Sequence, residues 1–213
     1  MEIKLLFRIL CPDVTPTMSG LRRDFGFKKL HFVSTFITNA IILGYENREE
    51  CDRIYHLFTQ KFGKMSVLAK GSRKILSKLS PHLEPPVVSK VLIAKGRSID
   101  KLAGSEIKKT FPNIRKDFYK REILFFCFKI VNLSTRPEGA DERVYEFLEE
   151  FIGFLEKTPS VQDKEKRVSI IISFLLRFFS LIGFRPSFES KNLSKEEIER
   201  WVSGILEKEI RIG

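Results

Sequence analysis

The stretch 61–97, KFGKMSVLAKGSRKILSKLSPHLEPPVVSKVLIAKGR, decides the fold and points to the function. Two apolar runs, MSVLAK (65–70) and VVSKVLIAK (87–95), have the composition of strands. Between them lie Lys70, Gly71, Ser72, Arg73, Lys74 and Lys78, with no acid among them. This is a basic loop held between two strands, a composition that suits phosphates. Gly71 lets the backbone approach a ligand closely, and Pro81, Pro85 and Pro86 stiffen the return.

Upstream, FITNAIILGYE (36–46) is rich in Ile and aromatics, and RIYHLFTQ (53–60) alternates after the acidic turn 46–52. Phe62-Gly63-Lys64 supplies a tight turn, and downstream Gly96-Arg97 turns the chain into SIDKLAGSEIKK (98–109). Five short strands at roughly ten-residue spacing predict a small closed or partly open barrel of the size of an OB fold; periodicity alone does not fix its topology.

At Phe111 the period changes. The stretch 113–133 places Ile114, Phe118, Leu124 or Phe125, and Phe128 near helical spacing, with Pro112 at the start. Residues 140–157 carry an i, i+3, i+4 apolar stripe, and 164–182 are apolar nearly all round from Ser169, predicting a central buried helix. Ser194 and Glu197 form a capping box for a last helix. The predicted class is α+β: a poorly defined extension over 1–35, an OB-type barrel over 36–110 and an all-helical domain over 111–213. The extension is either a loose basic arm or the upstream part of an overextended reading frame with Met18 as an internal start.

The formal charge of +11 is unevenly spread. Residues 1–110 hold 20 Lys and Arg against 10 Asp and Glu, whereas residues 111–213 hold 18 against 17. A one-sided basic field suits a polyanion, because each neutralised phosphate releases counterions; a merely solvated basic face is the alternative. The candidate DNA-binding residues are Lys61, Lys64, Lys70, Gly71, Arg73, Lys74, Lys78, Lys95 and Arg97. Tyr45 and Tyr55 are candidates for base stacking, and Phe62 is a weaker one because core packing suits it better. No base-edge reader is evident, so the expected binding is independent of sequence.

Other chemistries lack their parts. Cys11, Cys51 and Cys127 are widely spaced, as are His31, His56 and His82, so neither a disulfide framework nor a zinc site is expected. No nucleophile, phosphate-loop or deaminase motif occurs, so catalysis is not expected. No apolar run has the length and freedom from charge of a membrane span. The start of the chain, with Lys4 and Arg8, lacks the features of a signal peptide, so a cytoplasmic, nucleoid-associated place is expected.

Three segments carry a family likeness. AIILGYENREECDRIYHLFTQKFGKMSVLAKGSRK (40–74) resembles the opening of the bacterial recombination mediator RecO, with an apolar first strand, an acid before the Asp52-Arg53 pair, Gly63, and Ala69-Lys70-Gly71-Ser72-Arg73. Residues 79–118, from Leu79-Ser80-Pro81 to Arg115-Lys116-Asp117-Phe118, are similar to that family's next block, and FFSLIGFRPSF (178–188) to its Gly-x-x-Pro helix end. The likeness runs patchily over about 36–213. Many members place a four-cysteine zinc ribbon after that last segment; here Ser190 stands near its first cysteine position and no Cys follows Cys127, so no metal or other cofactor is expected.

The resemblance implies a non-enzymatic DNA-repair protein. Such a protein binds single- and double-stranded DNA, anneals complementary strands and acts with RecR, so that RecA can replace single-stranded DNA-binding protein (SSB) on gapped DNA. It also implies docking of the SSB tail on the helical part in some members. Two other readings stay open: an adaptor that docks SSB or RecR with little DNA contact, and an unrelated OB-type nucleic-acid binder.

Overall fold

A computed structural model describes residues 34–73, 82–137, 139–184, 194–208 and 210–212. The extension up to residue 33, together with Lys74, Lys78 and Ser190, lies outside the described residues. Five strands follow one another: β1 (Thr35–Arg48), β2 (Asp52–Thr59), β3 (Gly63–Ala69), β4 (Val87–Ala94) and β5 (Asp100–Thr110). They close into a barrel in the order β1-β2-β3-β5-β4. All neighbours are antiparallel except β3 and β5, which pair in parallel at Val67–Asp100 and Leu68–Lys101. This is the five-stranded Greek-key closure of an OB fold.

Alternation explains most of the barrel and its failure explains the rest. Ala40, Ile42, Tyr55, Leu57, Met65, Val67, Val91, Ile93 and Leu102 point inward. In β1 the residues between them, Ile41 and Leu43, are also buried, because helices cover that outer face. A strand covered on both sides reads as a continuous apolar run, hence Ala40-Ile41-Ile42-Leu43. A register shift between Ile42 and Gly44 bends β1 so that it pairs with β2 along one half and β4 along the other.

The helices are α1 (Pro112–Lys116), α2 (Phe118–Ser134), α3 (Glu142–Lys157), α4 (Lys164–Leu181) and α5 (Lys195–Leu206). The sequence predicts one helix over 113–133, but the chain breaks at Asp117, which is extended and caps α2 by accepting from the Lys120 N–H at 3.1 Å. Asp117 looks like one more polar interior position in the helical period, so periodicity alone hides the break. The prediction for 164–182 also needs correction. One face of α4 is buried, through Ile171, Phe174, Leu175, Phe178 and Phe179, while Ser169, Ser173 and Arg177 face solvent. The Ser194 capping box is formed on both sides, with Glu197 N–H to Ser194 Oγ at 3.2 Å and Ser194 N–H to Glu197 Oε2 at 2.9 Å.

Barrel and helices share one core. Ile41, Leu43, Phe58 and Val88 on the barrel's outer face belong to the same apolar cluster as Ile123, Phe128, Phe147 and Phe178. Each fully buried side chain of this size contributes about 1.5–3 kcal/mol relative to exposure, so the joint is a substantial part of the stability.

Candidate nucleic-acid interface

The outer face of β2 and β3 carries the candidate site, and its residues form two groups. At the end where β1 turns into β2, the basic loop that leaves β3 folds against that turn. The Gly71 N–H donates to Asp52 Oδ1 at 2.7 Å, the Arg73 N–H to the Cys51 carbonyl at 3.0 Å, and the Arg73 guanidinium to the Glu49 carbonyl at 3.3 Å. Lys70 is exposed, while the buried Ser72 hydroxyl has no hydrogen-bond partner among the described residues. Glu46, Glu49 and Glu50 stand at this same end, so its field among the described residues is mixed.

At the opposite end of β3 the β2–β3 turn meets the β4–β5 loop. Lys61 and Lys95 are exposed beside Phe62. The Phe36 and Phe62 rings lie 4.4 Å apart, and Lys95 Nζ sits 5.6 Å from the Phe36 ring. Arg97, exposed, lines a groove of about 480 Å³ with Lys64, Met65, Ser66 and Pro137. The six residue steps from Lys64 to Lys70 span about 20 Å of strand, so the predicted residues do not gather on one rim. They sit at the two ends of one face.

Two candidates are corrected. Tyr55 is fully buried in the barrel, where burial pushes its phenol pKa up, and its hydroxyl lies 3.4 Å from Arg53; it has no face to offer a base. Lys64 is half-buried and turned toward the helices. Its ammonium donates to the Asn132 carbonyl and, at 3.2 Å, to the Thr135 carbonyl at the end of α2, and desolvation lowers its pKa. A cation there complements the negative end of the helix dipole. Tyr45 is 37% exposed, with Arg53 over one face at 3.9 Å, and keeps the exposure that stacking requires.

Between the two ends runs a polar chain that sequence reading missed. His56 Nδ1 lies 3.0 Å from Ser66 Oγ and its Nε2 lies 3.1 Å from Glu46 Oε1. Only the pairing of three strands brings these residues together. Arg53 is tied elsewhere, by a 2.7 Å ion pair to Glu84 that anchors the return of the β3–β4 loop.

Gly63 fixes how the helical half meets this face. Its φ is +66°, and a Cβ there would stand 2.1 Å from the Gly139 carbonyl oxygen. The α2–α3 loop therefore lies directly on the β2–β3 turn, with Pro137 bridged to Lys64 and Gln60 bonded to Glu142 at 3.1 Å. Among the described residues no helix is long and apolar enough to cross a membrane.

Residues 33–111 match the family model described as "Recombination protein O N terminal". The chain is 37% identical over 125 residues to a DNA repair protein RecO from Nostoc sp., covering 59% of this chain and 42% of the relative. It is 30% identical over 170 residues to one from Desulfatibacillum aliphaticivorans (78% and 64%), and 30% identical over 151 residues to one from Dehalococcoides mccartyi (71% and 57%). The chain thus spans between 42% and 64% of these relatives' own length.

Proposed function

Because the chain belongs to the RecO family, whose N-terminal model matches its barrel, we propose that it is a DNA-repair and recombination protein that binds DNA through the outer face of β2 and β3. The observation that carries this reading is the OB closure with cations at both ends of one face. OB folds bind oligonucleotides on this face and its flanking loops, and cations at both ends of the face with exposed aromatics beside them suit a single strand without regard to sequence.

The finer roles follow the family likeness: annealing of complementary strands, binding of double-stranded DNA, and action with RecR so that RecA replaces SSB. The protein does this without catalysis of its own, in the cytoplasm on the chromosome. The Ser66–His56–Glu46 chain has the connectivity of a nucleophile relay. Its members, however, are cross-strand neighbours on a sheet face, where such contacts form as ordinary ladder pairs. We read it as part of the sheet.

Annealing of complementary oligonucleotides, bare and SSB-coated, tests the reading. Faster annealing with the protein, weakened by Arg73→Glu/Lys74→Glu, is expected; no acceleration at any salt concentration overturns it.

A second reading, an adaptor with little DNA contact, is favoured by one feature of the helical half. A groove of about 350 Å³ between α3 and α4 is lined by Phe147, Phe151, Phe154, Ile170 and Phe174, with Arg177 and Glu150 paired at its edge. An SSB tail would dock there. Capture of the tail by a protein that fails to bind DNA would favour the adaptor.

A further inference from the structure

We infer that the groove between the β4–β5 loop and the α2–α3 loop is a subsite for one nucleotide of a bound single strand, and that Arg136, from the helical half, supplies one of its phosphate contacts. This rests on the single-strand reading above and extends it from the barrel to a composite site.

The groove's volume of about 480 Å³ falls within the range of ordinary ligand pockets. Met65, Ile99 and Pro137 give it an apolar lining suited to a base, and Lys95 and Arg97 stand in its wall. Asp100 is the one acid among the described residues of the lining, and its charge is already engaged. Its Oδ1 accepts from the Gly96 N–H at 3.0 Å, and its Oδ2 lies 3.4 Å from Lys95 Nζ. An anion entering the groove therefore does not meet a bare carboxylate.

Both walls are fixed before any ligand arrives. On one side a Cβ on Gly96 would stand 1.8 Å from the Ile99 carbonyl oxygen, so the β4–β5 loop is closed tightly on itself. On the other side Lys64 holds the Thr135 carbonyl, and the Pro137 backbone bridges to Lys64. Arg136 lies between these two tethered residues. Its side chain is exposed, and among the described residues it has no hydrogen-bond or ion-pair partner. Some other cations of the helical half are paired, Arg143 with Asp141, Arg177 with Glu150 and Lys195 with Glu199; Lys129, Lys157, Lys164 and Lys166 are exposed as Arg136 is, but none of them adjoins a residue of the groove's lining. Arg136 is next in sequence to Pro137 of the lining, and its long exposed guanidinium arm suits contact with a phosphate held beside the groove. Net charge by segment could not reveal it, because residues 111–213 are nearly neutral in sum.

The test uses the full chain and a fluorescent oligo-dT of about 15 nucleotides, with anisotropy titrations between about 50 and 200 mM salt. Arg136→Glu is expected to weaken binding about three- to tenfold at the low-salt end and to flatten the salt slope by about 0.7, the value of one single-strand phosphate contact. Arg136→Lys is expected to keep the wild-type slope. Lys116→Glu carries the same change of net charge at the end of α1, beyond the far end of α2, whose 17 residues span about 25 Å, and is expected to change the slope little. Ile99→Ser is expected to narrow the affinity gap between oligo-dT and an abasic strand of equal charge. If Arg136→Glu behaves as Lys116→Glu while wild type binds normally, the composite site is wrong and the barrel reading stands. If wild type does not bind the strand, both fall. Thermal melts within the wild-type range show that the variants are folded.

Discussion

At the scale of single residues, sequence neighbourhood and spatial role part company. Lys61, Lys64 and Lys70 belong to one basic run, yet only Lys61 and Lys70 are exposed. Lys64 closes the end of α2. Lys64→Met is therefore expected to lower stability by about 1 kcal/mol, through the lost helix-end charge and its hydrogen bonds, while leaving the DNA salt slope unchanged. A thermal melt paired with a salt titration checks both halves. Gly63→Ala is expected to cost more, about 2 kcal/mol or above. It places a side chain in the left-handed region and against the Gly139 carbonyl, and chemical denaturation measures the loss. For the tyrosines, Tyr45→Ala is expected to weaken single-strand binding by about 1 kcal/mol, roughly fivefold, whereas Tyr55→Phe leaves it unchanged. Equal losses in anisotropy titrations would contradict the assignment of Tyr55 to the core.

At the scale of elements, the strands were legible because alternation and turn residues agree: Gly63 and Gly96 sit at turns where a side chain would collide with a carbonyl. The two-ended character of the site was not legible. It depends on the length of β3 and on which face each residue takes after closure, and neither is visible in a run of lysines. The α1–α2 break at Asp117 and the one-sided burial of α4 escaped for a related reason, since periodicity reports apolar positions and not what covers them. The helix caps make a pH prediction. The hydrogen bond from the Arg143 side chain holds the Asp141 carboxyl below its ordinary value, and the Ser194 backbone N–H does the same for Glu197. Carboxylates depressed in the folded state contribute stability that is complete above the ordinary value near 4 and is lost as pH falls through the lower folded values. Helical circular dichroism is expected to show weakening of α3 and α5 only below about pH 4. A double variant Asp141→Asn/Glu197→Gln is expected to lose part of that acid dependence. Ser194→Ala is expected to cost about 1 kcal/mol at any neutral pH.

At the scale of the whole molecule, the common core of barrel and helices makes the nucleic-acid face and the helical groove parts of one body. Phe58 leaves the barrel and enters the helical cluster, so Phe58→Ala is expected to lower the melting of strands and helices together, by about 3–5 kcal/mol in a single transition. Separate transitions in calorimetry would contradict the shared core. The central claim is that a single strand lies along β2 and β3 and touches cations at both ends. Oligo-dT binding measured across a salt series, with Lys61→Glu, Arg73→Glu and the double variant, tests it most directly. Log affinity is expected to fall linearly with log salt, each variant to flatten the slope by about 0.7, and the two effects to add. Binding that ignores salt, or slopes unchanged by either variant, would contradict it.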